Sequence, residues 1–166
     1  MGFSRGVAAV GAEEKSEGSV VRAALAEHGS VVARVCMALL GDAEAAERAL
    51  EKVARDAAAS FDASKDPRIA LLGLARVACA TQLSKLPVRR DEGAPPDTTP
   101  DDGHDAIFAR ASLGRLKPTE REAVVLHLVG GLDAAQVAEA CGIDLEAARA
   151  RIARGVAELL EEEKRR

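Results

Sequence analysis

The sequence of 166 residues contains no tryptophan and no tyrosine, and its aromatic side chains are three phenylalanines, Phe3, Phe61 and Phe108. Any hydrophobic core must therefore be built from aliphatic side chains, and alanine supplies many of them. Alanine buries little apolar surface, and burial stabilises a fold by about 25 cal/mol per Å². We therefore expect modest stability or stabilisation by a partner.

Cysteine is scarce, and its spacing excludes two common kinds of site. Cys36, Cys79 and Cys141 are odd in number, lie far apart and include no Cys-x-x-Cys pair, so neither a disulfide framework nor a zinc site is indicated. Small buried core residues are the simplest interpretation. The three histidines have no cysteine or carboxylate at ligand spacing. The sequence therefore predicts no metal site and no cofactor.

Long apolar runs and catalytic motifs are also lacking. The longest apolar stretch, Val31 to Leu40, is interrupted by Arg34 and is too short to cross a bilayer. Acidic residues follow the weakly apolar N-terminus at once, which is not typical of a signal peptide. No nucleophile with a base, carboxylate pair or phosphate-binding loop has a usable spacing. We expect a cytoplasmic protein that is not an enzyme, has no catalytic residues and binds neither a membrane nor a small-molecule substrate.

The composition, rich in alanine, leucine, valine, glutamate and arginine, favours an all-α fold. Apolar residues recur at helical spacing from about Ser19 to Leu40, from Ala43 to Ser60, and from Pro67 to about Leu86. Residues 87–104 hold four prolines, two glycines and many acids, which is typical of a solvated linker. The sequence therefore predicts two small helical domains, 19–86 and 105–166, joined by a flexible Pro/Asp-rich linker at 87–104 and preceded by a flexible segment, 1–18.

A helix-turn-helix pattern lies between Leu116 and Leu160, and it is the most specific signal in the chain. Two short breaks divide three apolar periodic runs, and each break ends in an aspartate, Asp133 or Asp144, that is placed to cap the next helix. A short middle helix, Ala134 to Ala140, precedes a longer helix from Leu145. These proportions are typical of a helix-turn-helix that reads DNA.

Helical spacing assigns an inner and an outer side to these helices. The predicted inward residues are Val124, Val125, Leu128, Val137, Ala138, Ile143, Ala148, Ile152, Gly155 and Leu159. Arg149, Arg151 and Arg154 are predicted to project outward and to carry any DNA contact. The alternative is a solvated face on which these arginines pair with Glu146 and Glu158.

The charge balance argues against tight DNA binding by this chain alone. The formal net charge is −4, and residues 105–166 carry ten lysines and arginines against eleven aspartates and glutamates. Non-specific affinity for DNA arises mainly from neutralised phosphates. We therefore expect weak binding unless a partner delivers the protein to DNA.

The helix-turn-helix segment resembles region 4 of bacterial sigma-70 factors, in particular the extracytoplasmic-function group. The residues that carry the resemblance are Leu116, Pro118, Glu120, Arg121, Gly131, Leu132, Val137, Ala138, Gly142, Ile143, Arg149, Arg151, Ile152 and Arg154. The family's usual residues are replaced by Gln136, Glu146, Ala147 and Ala148. Region 4 reads the promoter's upstream hexamer, so the resemblance implies a DNA-binding domain.

The N-terminal domain resembles sigma region 2, which binds the polymerase clamp and opens the promoter. The matching residues are Gly41, Asp42, Glu44, Ala46, Glu47, Leu71, Leu74, Ala75 and Arg76. The clamp-binding signature is degenerate, with Arg48, Glu51 and Lys52 at its positions and charge reversed at Arg48 and Lys52. Aliphatic residues, including Ala70 and Leu72, replace the aromatic side chains that stack on bases.

Two functions follow from this resemblance. The first is a sigma-factor-like regulator of transcription initiation, with DNA and core RNA polymerase as partners. The alternative is a degenerate sigma-like protein that no longer binds polymerase and acts through protein contacts, for example by capturing an anti-sigma factor.

Overall fold

The computed structural model describes the backbone of residues 7–85 and 104–165 and the side chains of residues 18–85 and 109–165. These residues form seven α-helices and no β-strand, so the predicted all-α fold is confirmed. The N-terminal module consists of α1 (Val7–Leu40), α2 (Ala43–Ser60) and α3 (Pro67–Leu83). The C-terminal module consists of α4 (His104–Arg115), α5 (Pro118–Leu128), α6 (Ala134–Cys141) and α7 (Leu145–Lys164).

Short-range signals set the helix boundaries of the N-terminal module. Gly41 has a φ of 64°, a left-handed conformation that glycine adopts without strain, and it ends α1. Asp42 caps α2 by accepting a hydrogen bond of 2.7 Å from the backbone N–H of Ala45. Asp66 caps α3 in the same way, and Pro67 occupies the first turn, where its missing N–H costs nothing.

The three helices of this module pack through small and branched aliphatic side chains. Fully buried alanines allow α2 to approach α1 and α3 closely. The buried residues that recur at the helical spacing noted in the sequence are Val21, Ala24, Val32, Val35, Leu39, Ala46, Ala49, Val53, Ala57, Leu71, Ala75 and Ala78. Helical periodicity was therefore sufficient to place most of this core.

Helix α1 begins at Val7, whereas the apolar spacing predicted a start near Ser19. Alanine, glutamate and lysine have high helix propensity, so a helix continues through them without an apolar stripe. The part Gly18–Leu40 also has the length and apolar composition of a membrane span. In this fold its side chains Val32, Val35 and Cys36 are buried in the core between the helices.

In the C-terminal module α5 is packed against two other helices. Both α6 and α7 contact α5, and α1 of the N-terminal module covers a further side of it. Leu126 is fully buried, while Leu128 is 59% exposed, so the predicted inward position of Leu128 was wrong. A helix that packs against one other helix buries a single apolar stripe. Because α5 is covered both by its own module and by α1, its buried surface is wider and is centred on different residues.

The two modules are docked and share one hydrophobic core. Helix α3 packs against α6, and α1 packs against α5. The core runs from Leu71 and Leu72 in α3 to Val137 and Cys141 in α6. The sequence predicted two domains and a linker but did not predict this contact. The predicted linker, 87–104, lies outside the described residues except for its last position.

Candidate nucleic-acid interface

Side-chain caps and a left-handed glycine fix the turn between α6 and α7. Asp133 accepts a hydrogen bond from the Gln136 N–H, and the Gln136 side chain accepts one from the Asp133 N–H, both at 2.9 Å. This reciprocal capping box starts α6. Gly142, with a φ of 64°, ends α6, and Asp144 caps α7 by accepting a bond of 2.7 Å from the Ala147 N–H. Both predicted aspartate caps are therefore confirmed.

The inner side of α7 is the predicted one. Ala148 and Gly155 are buried, and Ile152 and Leu159 are half-buried. Gly155 permits a close approach to α5, because a Cβ there would lie 2.5 Å from a methyl carbon of Val124. This packing holds α7 against α5 and leaves the opposite side of α7 open to solvent.

Arg149 lies on the solvent-exposed part of α7. Its side chain is exposed, and its Nη1 donates to Oε1 of Glu146 one turn earlier at 2.9 Å. An exposed pair of this kind contributes little, with a median of about 0 to 1 kcal/mol. Arg149 can therefore exchange Glu146 for a phosphate or a base edge at small cost.

Arg154 is held by a buried carboxylate of α5. Its Nε donates to Oε1 of Glu120 at 2.9 Å, and Glu120 is only 4% exposed. If Arg154 were removed, the Glu120 carboxylate would stay buried without a partner, and the free-energy cost of its desolvation would no longer be offset. Arg154 therefore stabilises the fold, and its side chain is nevertheless 60% exposed.

Arg151 is half-buried, whereas the side chains of Arg149 and Arg154 are exposed. Its charge acts on Glu122 of α5, on the side of α7 nearer the inter-module interface. At about 100° per residue, Arg149 and Arg151 lie on nearly opposite sides of the helix. The three predicted DNA-contact residues therefore share a helix but not a face, and their DNA contact remains a prediction.

The predicted polymerase-binding residues lie together on the outer side of α2. Arg48 pairs with Glu44 at 3.3 Å, and Lys52 pairs with Asp56 at 2.9 Å. Glu51 is exposed beside them. The main contacts of the C-terminal module with the N-terminal module are made to α1 and α3. The reversed charges at Arg48 and Lys52 are thus balanced by neighbours on the same helix.

Four residues at the inter-module interface were not identified as a group from the sequence: Arg68, Gly73 and Arg76 of α3, and Glu122 of α5. Burial raises the pKa of Glu122 more than the charge and hydrogen bond of Arg76 and the charge of Arg151 lower it. A glycine inside an otherwise apolar helix was the available signal, because it often marks a close helix approach.

Small cavities, rather than a deep pocket, flank this interface. One has a volume of about 180 Å³ and is lined by residues of α1, α3 and α5, including Cys79, Arg121 and Glu122. The other, of about 180 Å³, lies where α6 meets the connection between α2 and α3. Within the side chains that the structure describes, no three metal-ligand residues gather in one place.

Residues 109–159 match the family model for sigma-70 region 4. This part of the chain is similar to sigma-70 region 4. The matched residues include the caps, the turn and most of α7. No curated protein sequence matches the chain.

Three solved structures share the fold of the chain across both modules. One is CnrH in complex with the cytosolic domain of CnrY, with a TM-score of 0.69, 18% identity, and coverage of 89% of this chain and 90% of that chain. Another is the sigma factor RpoE in complex with the anti-sigma factor NepR from Bartonella quintana, with a TM-score of 0.66, 18% identity, and coverage of 90% and 95%. A third is the PhyRSL–NepR complex from Sphingomonas sp. Fr1, with a TM-score of 0.63, 20% identity, and coverage of 83% and 85%.

The predicted resemblance to sigma-70 factors is therefore confirmed for region 4, and the solved structures add a likeness of fold. The family model identifies region 4 directly. The solved structures extend the likeness to the fold of the whole described chain, including the N-terminal module.

Proposed function

We propose that the protein is a cytoplasmic sigma-factor-like regulator of transcription initiation whose helix-turn-helix contacts promoter DNA. The observation that carries this proposal is the region 4 match over a capped helix-turn-helix with an open outer side on α7. Arg149 lies on that side with only an exposed partner, and Ala153 beside it is exposed and small. Small side chains let a helix backbone approach the floor of a groove.

The near-neutral charge of residues 105–166 limits the affinity of α7 for DNA when no partner is present. Arg149, Arg151 and Arg154 each already face a carboxylate. DNA phosphates must replace these carboxylates, so the net gain per contact is small. The proposal is therefore weak binding by the free protein and tighter binding once core polymerase presents it to a promoter.

The test is equilibrium binding to a fluorescein-labelled duplex, measured by anisotropy across a salt series. Replacing Arg149, Arg151 and Arg154 by alanine should abolish binding, because the cations that neutralise phosphates are removed. The matched control replaces Arg22, Arg55 and Lys65, which are exposed on the N-terminal module. It removes the same charge elsewhere. Equal binding by the two triple variants would contradict the proposal.

Folding must be checked in the same experiment, because Arg154 also pairs with the buried Glu120. The single variant Arg149→Ala breaks only an exposed pair and isolates the DNA effect. It should lower affinity without changing helicity, as measured by circular dichroism.

A second candidate is a sigma-like protein that acts through protein contacts and no longer binds polymerase. The observation that favours it is the neutralised outer side of α2, where Arg48 and Lys52 stand at the degenerate clamp-binding positions. A mismatched charge at an interface costs affinity and selects against a partner. RpoE, whose fold is similar, was solved in complex with the anti-sigma factor NepR, and a partner of that class is what this candidate requires.

Affinity purification of the full chain, followed by identification of the bound proteins, separates the two candidates. Polymerase subunits in stoichiometric amounts would reject the second candidate and support the first. An anti-sigma factor recovered without polymerase would support the second.

A further inference from the structure

One of the two cavities combines aliphatic walls with a small group of charged side chains. It has a volume of about 180 Å³ and lies where α1, α3 and α5 meet. Most of its wall is apolar and includes Leu39 and Leu83. Its charged lining residues are Arg76, Arg121 and Glu122. Two cations and one carboxylate therefore border a space that is otherwise largely aliphatic.

Arg121 brings an unpaired charge to this cavity. Its side chain is half-buried, and burial lowers the pKa of the guanidinium. Among the side chains that the structure describes, Arg121 forms neither an ion pair nor a hydrogen bond. Because arginine stays protonated at neutral pH, this burial costs free energy that a bound anion would offset.

Arg76 also has hydrogen-bonding capacity that its neighbours leave unused. Its Nη1 donates to Oε1 of Glu122 at 3.4 Å, which is long for a charge-assisted hydrogen bond. Its Nε is buried and has no acceptor within the described part of the chain. Buried donors without an acceptor are rare in folded proteins. An oxygen atom of a ligand in the cavity would supply one.

The charge, walls and size of the cavity together define a class of ligand. The two arginines and the single carboxylate of Glu122 leave one net positive charge, which a monoanion balances and a dianion such as sulfate does not. The aliphatic walls favour a ligand whose remaining atoms are apolar. Sites for drug-sized molecules have volumes of roughly 300 to 1,000 Å³, so the ligand of this smaller cavity must be a small molecule.

We propose that this cavity is a binding site for a short-chain aliphatic carboxylate, held by Arg121 and Arg76, with its hydrocarbon tail against the aliphatic walls. The planar guanidinium of Arg121 can donate two parallel hydrogen bonds to the two carboxylate oxygens. Thr119, at the exposed rim, adds a hydroxyl donor. None of the lining residues lies on α7, so the site is separate from the helix that is proposed to read DNA.

Isothermal titration calorimetry of the full chain with sodium pentanoate, at constant ionic strength, tests this site. Binding should be saturable, and the melting temperature should rise with the pentanoate concentration, because the ligand binds the folded protein. Pentanamide has nearly the same shape but no charge, so it should bind about tenfold more weakly or not at all. Sodium sulfate should not displace pentanoate at equal concentration.

Three results with the wild-type protein would overturn the proposal. One is the absence of saturable pentanoate binding, and another is equal affinity for pentanoate and pentanamide. The third is displacement of pentanoate by an equal concentration of sulfate, which would show a general anion site instead of a carboxylate site.

The charge variant Arg121→Gln tests the proposed anchor of the carboxylate. It should lower the affinity for pentanoate by about tenfold or more, because the charge-assisted hydrogen bonds are lost. The matched control is Arg22→Gln, at an exposed position of α1, which should bind pentanoate as the wild type does. Wild-type affinity in Arg121→Gln would contradict the assignment of this arginine and overturn the site.

A second pair of variants fills space without changing charge. Ala80 lines the cavity at an exposed position of α3, so Ala80→Leu should obstruct the cavity and lower pentanoate affinity severalfold. Ala58→Leu, at an exposed position of α2, is the matched control. This pair decides the question if Arg121→Gln loses helicity by circular dichroism. Equal pentanoate affinities of the two leucine variants would place the ligand outside the cavity and overturn the proposal.

Discussion

The Arg76–Glu122 pair shows at the scale of single residues how an interface can be specific without being strongly stabilising. Burial raises the pKa of Glu122 above its ordinary value, and the favourable effects of Arg76 and Arg151 only partly offset this. Desolvation of a buried pair often exceeds its Coulombic gain, yet removal of one partner is costly because the other charge stays buried. Loss of Arg76 should therefore be more harmful than neutralisation of Glu122.

Glu122 should make the stability of the protein depend on pH. Because its folded pKa is raised, the folded protein holds a proton that the unfolded chain has released, over the range between the two pKa values. The contribution to the free energy of unfolding is thus fully present below the ordinary value of 4.5 and is lost as pH rises through the folded pKa. Urea unfolding of wild type and Glu122→Gln at pH 5 and pH 7 measures it.

The variant Glu122→Gln should be at least as stable as wild type at pH 7, and its relative advantage should shrink at pH 5. The control is Glu47→Gln, at an exposed position of α2. A difference between Glu122→Gln and wild type that does not vary with pH would contradict the assignment.

At the scale of elements, the helix-turn-helix depends on its caps more than on helix length. Helix α6 has only eight residues, too few to be stable alone. The reciprocal bonds between Asp133 and Gln136 satisfy two N–H groups that would otherwise lack partners. Helix α5 differs, because its N-cap residue, Lys117, makes no side-chain cap bond.

Asp133→Ala should lower the free energy of unfolding by about 1 kcal/mol, which is typical for loss of a side-chain N-cap. Lys117→Ala is the matched control and should have little effect, since no cap bond is lost. Thermal or urea unfolding compares the two, and hydrogen exchange in α6 should report the local loss. Equal effects of the two substitutions would show that the cap bond of Asp133 is not the cause.

Elements that rest on local signals could be predicted from the sequence. Asp133 and Asp144 gave the starts of α6 and α7, and helical spacing placed Ala148 and Gly155 inward. What depends on contacts between distant segments could not be predicted. Leu128 was misplaced because α1 also covers α5, and the half-buried position of Arg151 follows from its location near the inter-module interface. The spacing of apolar residues along the sequence does not show when a second helix from elsewhere in the chain covers another side of the same helix.

At the scale of the whole molecule, the three cysteines differ in which part of the structure buries their thiols and keeps them unreactive. Cys36 and Cys79 are buried within the N-terminal module, where a hydrogen bond between the thiols lowers the pKa of Cys36 and raises that of Cys79. Cys141 ends α6 and lies in the electrostatic range of Glu122 and Arg76. Burial raises the pKa of Cys141 to about 11, so little reactive thiolate is present at neutral pH.

Alkylation of Cys141 should therefore report separation of the modules. In wild type at pH 8 the reaction with iodoacetamide should be slow. In Arg76→Glu it should be accelerated, because two facing carboxylates repel each other, the modules separate and Cys141 gains access to solvent. Cys36 should remain unreactive in both proteins, which mass spectrometry of tryptic peptides distinguishes. Parallel acceleration at Cys36 would indicate general unfolding instead of module separation.

The docked arrangement joins residues that are distant along the chain: Arg68 bonds to a carbonyl 62 positions later, and Arg76 to a carboxylate 46 positions later. Because one chain carries both modules, their association is intramolecular, and the connecting residues set the effective concentration of each module around the other. This concentration changes slowly with chain length, since doubling a loop costs only about 0.6 kcal/mol. Related chains with a longer connection between the modules should therefore keep the same docked state, so long as the contacts of Arg68, Gly73 and Arg76 are preserved.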